Sequence, residues 1–194
     1  MFNKPFVVLD LETSGIDPKS SDIIEVAIIR YKKRKEVDRY SDLIKIDYEL
    51  PEIITAITGI TDEMIERSGK KKEDVLKKVE KMLKGAYMVG HNINFDHAFL
   101  KTSKTKMDIL GLIDTIPLAQ VMIPSAASYS LESLTDDLEI SHKDRHRAMG
   151  DVEATLDLFN YLFKSANELP KKLVEEVKDL VVKSDWTGGV FFEE

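Results

Sequence analysis

The stretch that decides the fold is Phe6-Val7-Val8-Leu9-Asp10-Leu11-Glu12-Thr13-Ser14-Gly15. Its first half is apolar and rich in β-branched residues, which predicts a strand over Phe6–Asp10 that is central and buried on both sides. Asp10 and Glu12 stand two apart, and in extended chain residues i and i+2 point to one face. Two acids at the end of a buried strand repel each other and resist desolvation. A divalent cation removes that penalty, because hard carboxylate oxygens suit Mg²⁺ or Mn²⁺. The pair alone also fits one acid on the strand and a second capping the turn at Gly15, so the decision passes to the rest of the chain.

With 194 residues, 43% hydrophobic and 32% charged, the chain suits one domain with a substantial core plus an appendage. The absence of Cys excludes a disulfide framework, a zinc–thiolate site and a cysteine nucleophile. No apolar run approaches a membrane span, and Met-Phe-Asn-Lys-Pro lacks the form of a signal peptide. The expected compartment is the cytoplasm. A net charge of −7 argues against broad electrostatic adhesion to nucleic acid or membranes. It leaves room for a nucleic-acid enzyme whose clustered acids hold a cation, which reverses the local sign. The basic run Arg30, Lys32, Lys33, Arg34, Lys35 reads as a solvated hairpin turn rather than a phosphate-binding patch.

Further strands are expected at Ile23–Tyr31, Val37–Ile46, Tyr87–Val89 and Ile109–Ile113, from their apolar patterns and turn signals. Thr61-Asp62-Glu63 is a helix start, and Val75, Val79, Met82 and Leu83 repeat at helical spacing before Gly85. Another helix is expected through Phe99, a short one carrying Leu131, Leu134 and Leu138, and a long one from Met149 through Phe163. The sum is an α/β protein, a mixed five-stranded sheet flanked by helices. Pro170 opens a further amphipathic helix with Leu173, Val177, Leu180 and Val181, followed by the apolar tail Trp186 to Phe192. Two units are therefore expected: residues 1–165 as the main domain, and 166–194 as a helix and tail of unassigned role.

Two more segments carry chemistry. Gly90-His91-Asn92-Ile93-Asn94-Phe95-Asp96 follows a strand and places Asp96 at a helix start, at the sheet edge where α/β proteins bind ligands. Taken singly, Asp96 is a helix-start acid, His91 a satisfied structural histidine and Asn92 a turn former. His146-Arg147-Ala148-Met149-Gly150-Asp151 enters the long helix. His146 and Asp151 are five apart, about 140° around a helix, so His146 is expected on the loop or first turn, leaning over a site that Asp151 lines. His97 and His142 read as surface residues.

Together these segments resemble the three motifs of the DEDDh, or DnaQ-like, 3′→5′ exonucleases. Leu9 to Gly15 is similar to the first motif, Gly90 to Asp96 to the second, and His146 to Asp151 to the third, H-x-x-x-x-D. Ile24-Glu25-Val26-Ala27, Thr58-Gly59-Ile60-Thr61, Asp114-Thr115 and Tyr129-Ser130-Leu131 fall where the family has similar residues. The likeness runs over about residues 5 to 164, in order. Proofreading subunits of bacterial replicases often carry His where Thr58 stands; Thr58 is more like the exonuclease domain of Gram-positive replicative polymerases or stand-alone relatives.

The resemblance implies a ribonuclease-H-like fold and two divalent ions, Mg²⁺ or Mn²⁺, held by Asp10, Glu12, Asp96 and Asp151. It implies His146 as general base and release of nucleoside 5′-monophosphates from single-stranded or frayed DNA 3′ ends. Thr13, Gly15, Thr58, Ile60, Asn92 and Phe95 would contact or flank the terminal nucleotide, and the setting would be proofreading or repair, with a DNA polymerase subunit or another replication or repair protein as partner. Three alternatives stand beside it: an exoribonuclease of the same fold, a hydrolase of small nucleotides, and a binding module that has lost the chemistry.

Overall fold

The computed structural model describes the backbone of residues 2–182 and 187–192, without the side chains of 180–182, 187 and 188. The opening strand is β1 (Phe6–Thr13). It is followed by β2 (Ile23–Lys32) and β3 (Lys35–Leu43). Three short helices come next: α1 (Glu52–Thr58), α2 (Asp62–Ser68) and α3 (Lys72–Leu83). Then come β4 (Ala86–Gly90), α4 (Ile93–Thr102), β5 (Ile109–Asp114) and α5 (Thr115–Met122). The chain closes with α6 (Leu131–Asp137), α7 (Ala148–Asn167), α8 (Lys171–Val182) and a 3₁₀ segment, Thr187–Phe192.

The sheet order is β3-β2-β1-β4-β5, with β1–β2 and β2–β3 antiparallel and β1–β4 and β4–β5 parallel. This is the expected mixed sheet of the ribonuclease-H-like fold, and β1 is its centre. Its side chains alternate between two cores. Phe6 and Val8 face the core that α7 fills with Val152, Leu156 and Phe159. Val7, Leu9 and Leu11 face the core that α3 fills with Val75, Val79 and Met82. Because the strand is buried on both sides, it shows no polar–apolar alternation until Asp10.

β1 extends to Thr13 rather than stopping at Asp10, because β2 keeps pairing alongside it, Leu11 with Val26 and Glu12 with Glu25. β3 ends at Leu43, short of the expected Ile46, and Ile44 instead bridges to Lys70. The basic run forms the β2–β3 hairpin as expected, with Lys33 and Arg34 at positive φ. Arg30 lies outside that turn: its guanidinium donates to the carbonyls of Met82 and Lys84 and caps the end of α3.

Two helices, α1 and α5, are invisible in the sequence periodicity. Each has eight residues or fewer, too short to write an apolar stripe. Local capping holds α5, where the Asp114 carboxylate accepts from Ile116 N at 2.9 Å. The expected start at Thr61 is right: its hydroxyl accepts from Met64 N at 3.2 Å. At the other end, Val190, Phe191 and Phe192 join the α7 core. The expected partners Leu180, Val181 and Trp186 lie outside the described side chains, while Val177 packs against that same core. Among the described residues no helix is long and apolar enough to cross a membrane.

Phe159 sits at the centre of an aromatic cluster, with its ring centroid 5.6 Å from Phe2, 5.4 Å from Phe6 and 5.5 Å from Phe191. Phe159→Ala empties the space that joins β1, α7 and the C-terminal segment. We expect it to cost about 3–5 kcal/mol in urea unfolding, and a loss under 1 kcal/mol would show that the cluster is not a single packed unit.

Candidate active site

Asp10 and Glu12 continue the face of β1 that carries Phe6 and Val8, so they point to the α7 side of the sheet. Their end of that face lies at the start of α7, where Asp151 stands in the first turn. Asp10, Glu12 and Asp151 each offer a carboxylate oxygen, and these oxygens lie within 4.8 Å of one another. The positive end of the α7 dipole favours negative charge here, but by too little to balance three carboxylates.

Asp96 approaches along the edge of β1 that faces β4. The β1–β4 pairing ends at Val8 with Val89, so beyond it the strand edge has no strand partner on that side. Asp96, buried in the first turn of α4, supplies one: its Oδ1 accepts from Leu11 N at 3.0 Å. Asp96 therefore pins the backbone between the two strand acids, and its charge acts on Asp10.

The electrostatics follow from crowding in low dielectric. Burial pushes Asp10 well above the usual carboxylate range, and Asp96, Asp151, Glu12 and Glu25 add to it. Burial likewise raises Asp96, against the backbone N–H groups that lower it. Glu12 is pushed from 4.5 up to about 8, by burial first and then by Asp151 and Glu25, with Arg147 opposing. Oxygen donors alone, gathered this closely, suit a hard divalent cation, whose charge offsets their mutual repulsion. The residues present therefore fit the metal that the motifs imply.

Glu25 explains why the cluster does not contain one more free acid. It pairs directly across from Glu12 on β2, an arrangement that destabilises a sheet. Its side chain is only 5% exposed. Arg147 answers it with two bonds, Nε to Oε2 at 3.1 Å and a second guanidinium nitrogen to Oε1 at 2.7 Å. Ala148 N also donates to Oε2 at 3.1 Å, so Glu25 caps the start of α7 as well. A lone charge inside the apolar run Ile23 to Ile29 was the available signal.

The loop between α6 and α7 carries His142 and His146. Arg145 ties it to Glu132 and Asp136 of α6, and Arg147 ties it to Glu25. His146 stands between these two anchors at φ +59, exposed as expected on the loop before the helix. Its ring makes no hydrogen bond or ion pair among the described residues. Gly150 lets the loop lie this close to α7, since a Cβ there would sit 2.3 Å from Lys143 O and 2.4 Å from Asp144 O.

His142 corrects the sequence reading. It is no surface residue: its side chain is 4% exposed, and Nε2 lies 2.5 Å from Asp151 Oδ1. The two are nine apart in sequence, and only the folding of the loop back onto α7 brings them together. His97 is half-buried on α4, and burial lowers its pKa. His91 is a satisfied structural histidine, held by Thr115 Oγ1 at 2.8 Å and Tyr129 O at 2.9 Å. Burial lowers its pKa too.

The residues expected around a terminal nucleotide divide. Thr13 ends β1, and its hydroxyl donates to Gly15 O at 2.7 Å. Asn92 is exposed at φ +64 before α4, with its N–H donating to Asp114 Oδ1 at 3.1 Å. Phe95 is half-buried and lies against Phe99, its ring tilted by 47° with 4.9 Å between centroids. Thr58 ends α1, and its hydroxyl donates to Ile54 O at 2.9 Å while accepting from Ile60 N at 3.0 Å. Ile60 is fully buried among Ile24, Leu43, Leu50 and Ile65.

A ribonuclease-H-like sheet with acids gathered on its central strand defines the class. Solved structures agree on the fold: E. coli exonuclease I in complex with a dT13 oligonucleotide superposes with a TM-score of 0.74 at 20% identity, over 90% of this chain and 43% of that one. Exonuclease X in complex with 5′ overhanging duplex DNA gives 0.66 at 24% identity, over 84% and 93%. The RNase T exonuclease family profile matches residues 7–159, and the chain belongs to that family. Relatives include the 3′-5′ exonuclease DinG of Bacillus subtilis, 32% identical over 93% of this chain and 20% of that protein. The PolC-type DNA polymerase III of Thermotoga petrophila is 34% identical, over 96% of this chain and 14% of that protein. The chain thus spans a fifth or less of the length of these relatives.

Two outcomes follow from the charges. Glu12 binds a proton more tightly folded than unfolded, so its contribution destabilises the metal-free protein increasingly as pH rises from 4.5 to about 8. Thermal unfolding should show the Tm of the metal-free protein falling across that window and the gain in Tm on adding Mn²⁺ growing across it; a Mn²⁺ effect equal at pH 5 and 8 would contradict the crowding. Arg147→Ala leaves Glu25 buried without a counter-charge, and urea unfolding should show a loss of about 3 kcal/mol. Arg145→Ala, which removes only surface pairs, should stay within about 1 kcal/mol.

Proposed function

We propose that this chain is a metal-dependent 3′→5′ exonuclease that releases nucleoside 5′-monophosphates from single-stranded or frayed DNA 3′ ends. The observation that carries the reading is the group of Asp10, Glu12 and Asp151 oxygens within 4.8 Å, where the central strand meets the start of α7 in a chain belonging to an exonuclease family. DinG is named a 3′-5′ exonuclease, which supports the polarity, and exonuclease I is solved with a dT13 oligonucleotide, which supports DNA as the polymer. PolC-type relatives are DNA polymerases, which supports a setting in replication or repair.

Asp10, Glu12 and Asp151, with Asp96 at the edge of β1, would hold two divalent ions, Mg²⁺ or Mn²⁺. Bound there, the ions lower the pKa of water and offset negative charge on the phosphodiester. The chain's own groups do the rest. His146, exposed and anchored on both sides, accepts the water's proton at a ring nitrogen. Thr13, Gly15, Asn92 and Phe95 present backbone and side-chain surface to the last nucleotide, and Phe95 offers an aromatic face that is tolerant of base identity. Thr58 and Ile60 support that wall from within. The acidic surface is no obstacle, because the cations reverse the sign where the phosphates approach.

A 5′-labelled single-stranded DNA oligomer incubated with Mn²⁺ should give a ladder shortening from the 3′ end, abolished by EDTA and by Asp151→Ala. His146→Ala should slow it by roughly 100-fold or more while Mn²⁺ binding persists. A matched RNA oligomer should be cut more slowly. Preference for RNA would replace the DNA reading, and an EDTA-resistant ladder would overturn the metal reading.

A further inference from the structure

We propose that Thr135 and His142 form a hydrogen-bonded strut that positions the Asp151 carboxylate, making His142 a positioning residue for cation binding. The proposal rests on the metal reading of the acidic cluster and adds two residues to it.

The strut can be followed atom by atom. Thr135 Oγ1 lies 2.8 Å from Leu131 O and 3.0 Å from Glu132 O, so its hydroxyl donates into the carbonyls of α6. That leaves the oxygen as an acceptor toward His142 Nδ1, at 3.3 Å. With the Nδ1 proton given to Thr135, a second proton lies in the 2.5 Å contact of Nε2 with Asp151 Oδ1, so the two meet as an ion pair. Thr135 is fully buried and the His142 side chain is 4% exposed, so neither partner exchanges readily for water.

One Asp151 oxygen is thereby committed, and the carboxylate has its second oxygen to offer to the cluster with Asp10 and Glu12. An unsupported Asp in the first turn of a helix samples several rotamers. A ligand held in one orientation by a buried partner loses less freedom when a cation binds. The strut also joins α6 to α7, so the fourth motif acid is placed by an element that contributes no acid to the cluster itself.

Mn²⁺ binding measured by titration calorimetry on the full chain tests this without relying on turnover. His142→Leu should weaken binding roughly 10- to 100-fold, whereas His142→Gln, which keeps an N–H donor toward Asp151, should stay within about threefold of wild type. At saturating Mn²⁺ the His142→Leu protein should regain most of its kcat on a DNA oligomer, a split that a general loss of packing would not produce. If His142→Leu fails to fold by circular dichroism, Thr135→Val decides, since it keeps the shape and removes only the acceptor; weakening of about threefold or more supports the strut. Variants that bind Mn²⁺ as wild type does overturn the strut alone. A wild-type protein that takes up no Mn²⁺ overturns the metal reading and the strut together.

Discussion

Five acids converge where β1 leaves its parallel neighbour: Asp10 and Glu12 on the strand, Glu25 beside them on β2, Asp96 at the free strand edge and Asp151 at the start of α7. Such crowding is unfavourable in a folded chain, and much of the surrounding structure is arranged to withstand it. Asp96 is pinned by the Leu11 amide. Glu25 is neutralised by Arg147 and committed to the start of α7. Asp151 lies in the favourable field of a helix N-terminus and against His142. What remains unbalanced is the pair Asp10 and Glu12, whose carboxyls burial and their acidic neighbours push above the usual range.

The rest of the molecule makes that concentration tolerable by rigidity. β1 is covered by two cores, one built on α7 and one on α3, so the strand cannot shift to relieve repulsion. Above it, the α6–α7 loop is fastened by one arginine to α6 and by another to β2. Only the His146 side chain between them is left facing outward. The proposed hydrolysis rests on this geometry, a fixed acidic floor below and an exposed imidazole on a fastened loop.

A compact unit of this kind also accounts for the pattern of relatives. The same length of chain recurs inside proteins five or more times as long, among them PolC-type polymerases and DinG. All elements of the candidate site lie between β1 and the first turn of α7, within the span matched by the family profile. The Val190–Phe192 segment contributes to the α7 core, away from the acids in sequence.

Much of this was legible in the residues themselves. The i, i+2 acids, the buried character of β1, the helix carrying Asp96 and the loop position of His146 all follow from local rules of extended and helical chain, which act over a few neighbours. The same rules could not reach α1 or α5, whose few turns write no periodic stripe. They also misplaced His142, because a histidine nine residues from an aspartate has no local reason to meet it. Sequence by itself determined which groups are available and which strand and helix ends present them. Tertiary structure alone decided their pairing: Glu25 with Arg147, Asp96 with Leu11, His142 with Asp151. Those contacts join distant segments, and hydrogen bonding and Coulomb attraction in the low-dielectric interior offset the cost of desolvating the groups that make them, which no local pattern encodes.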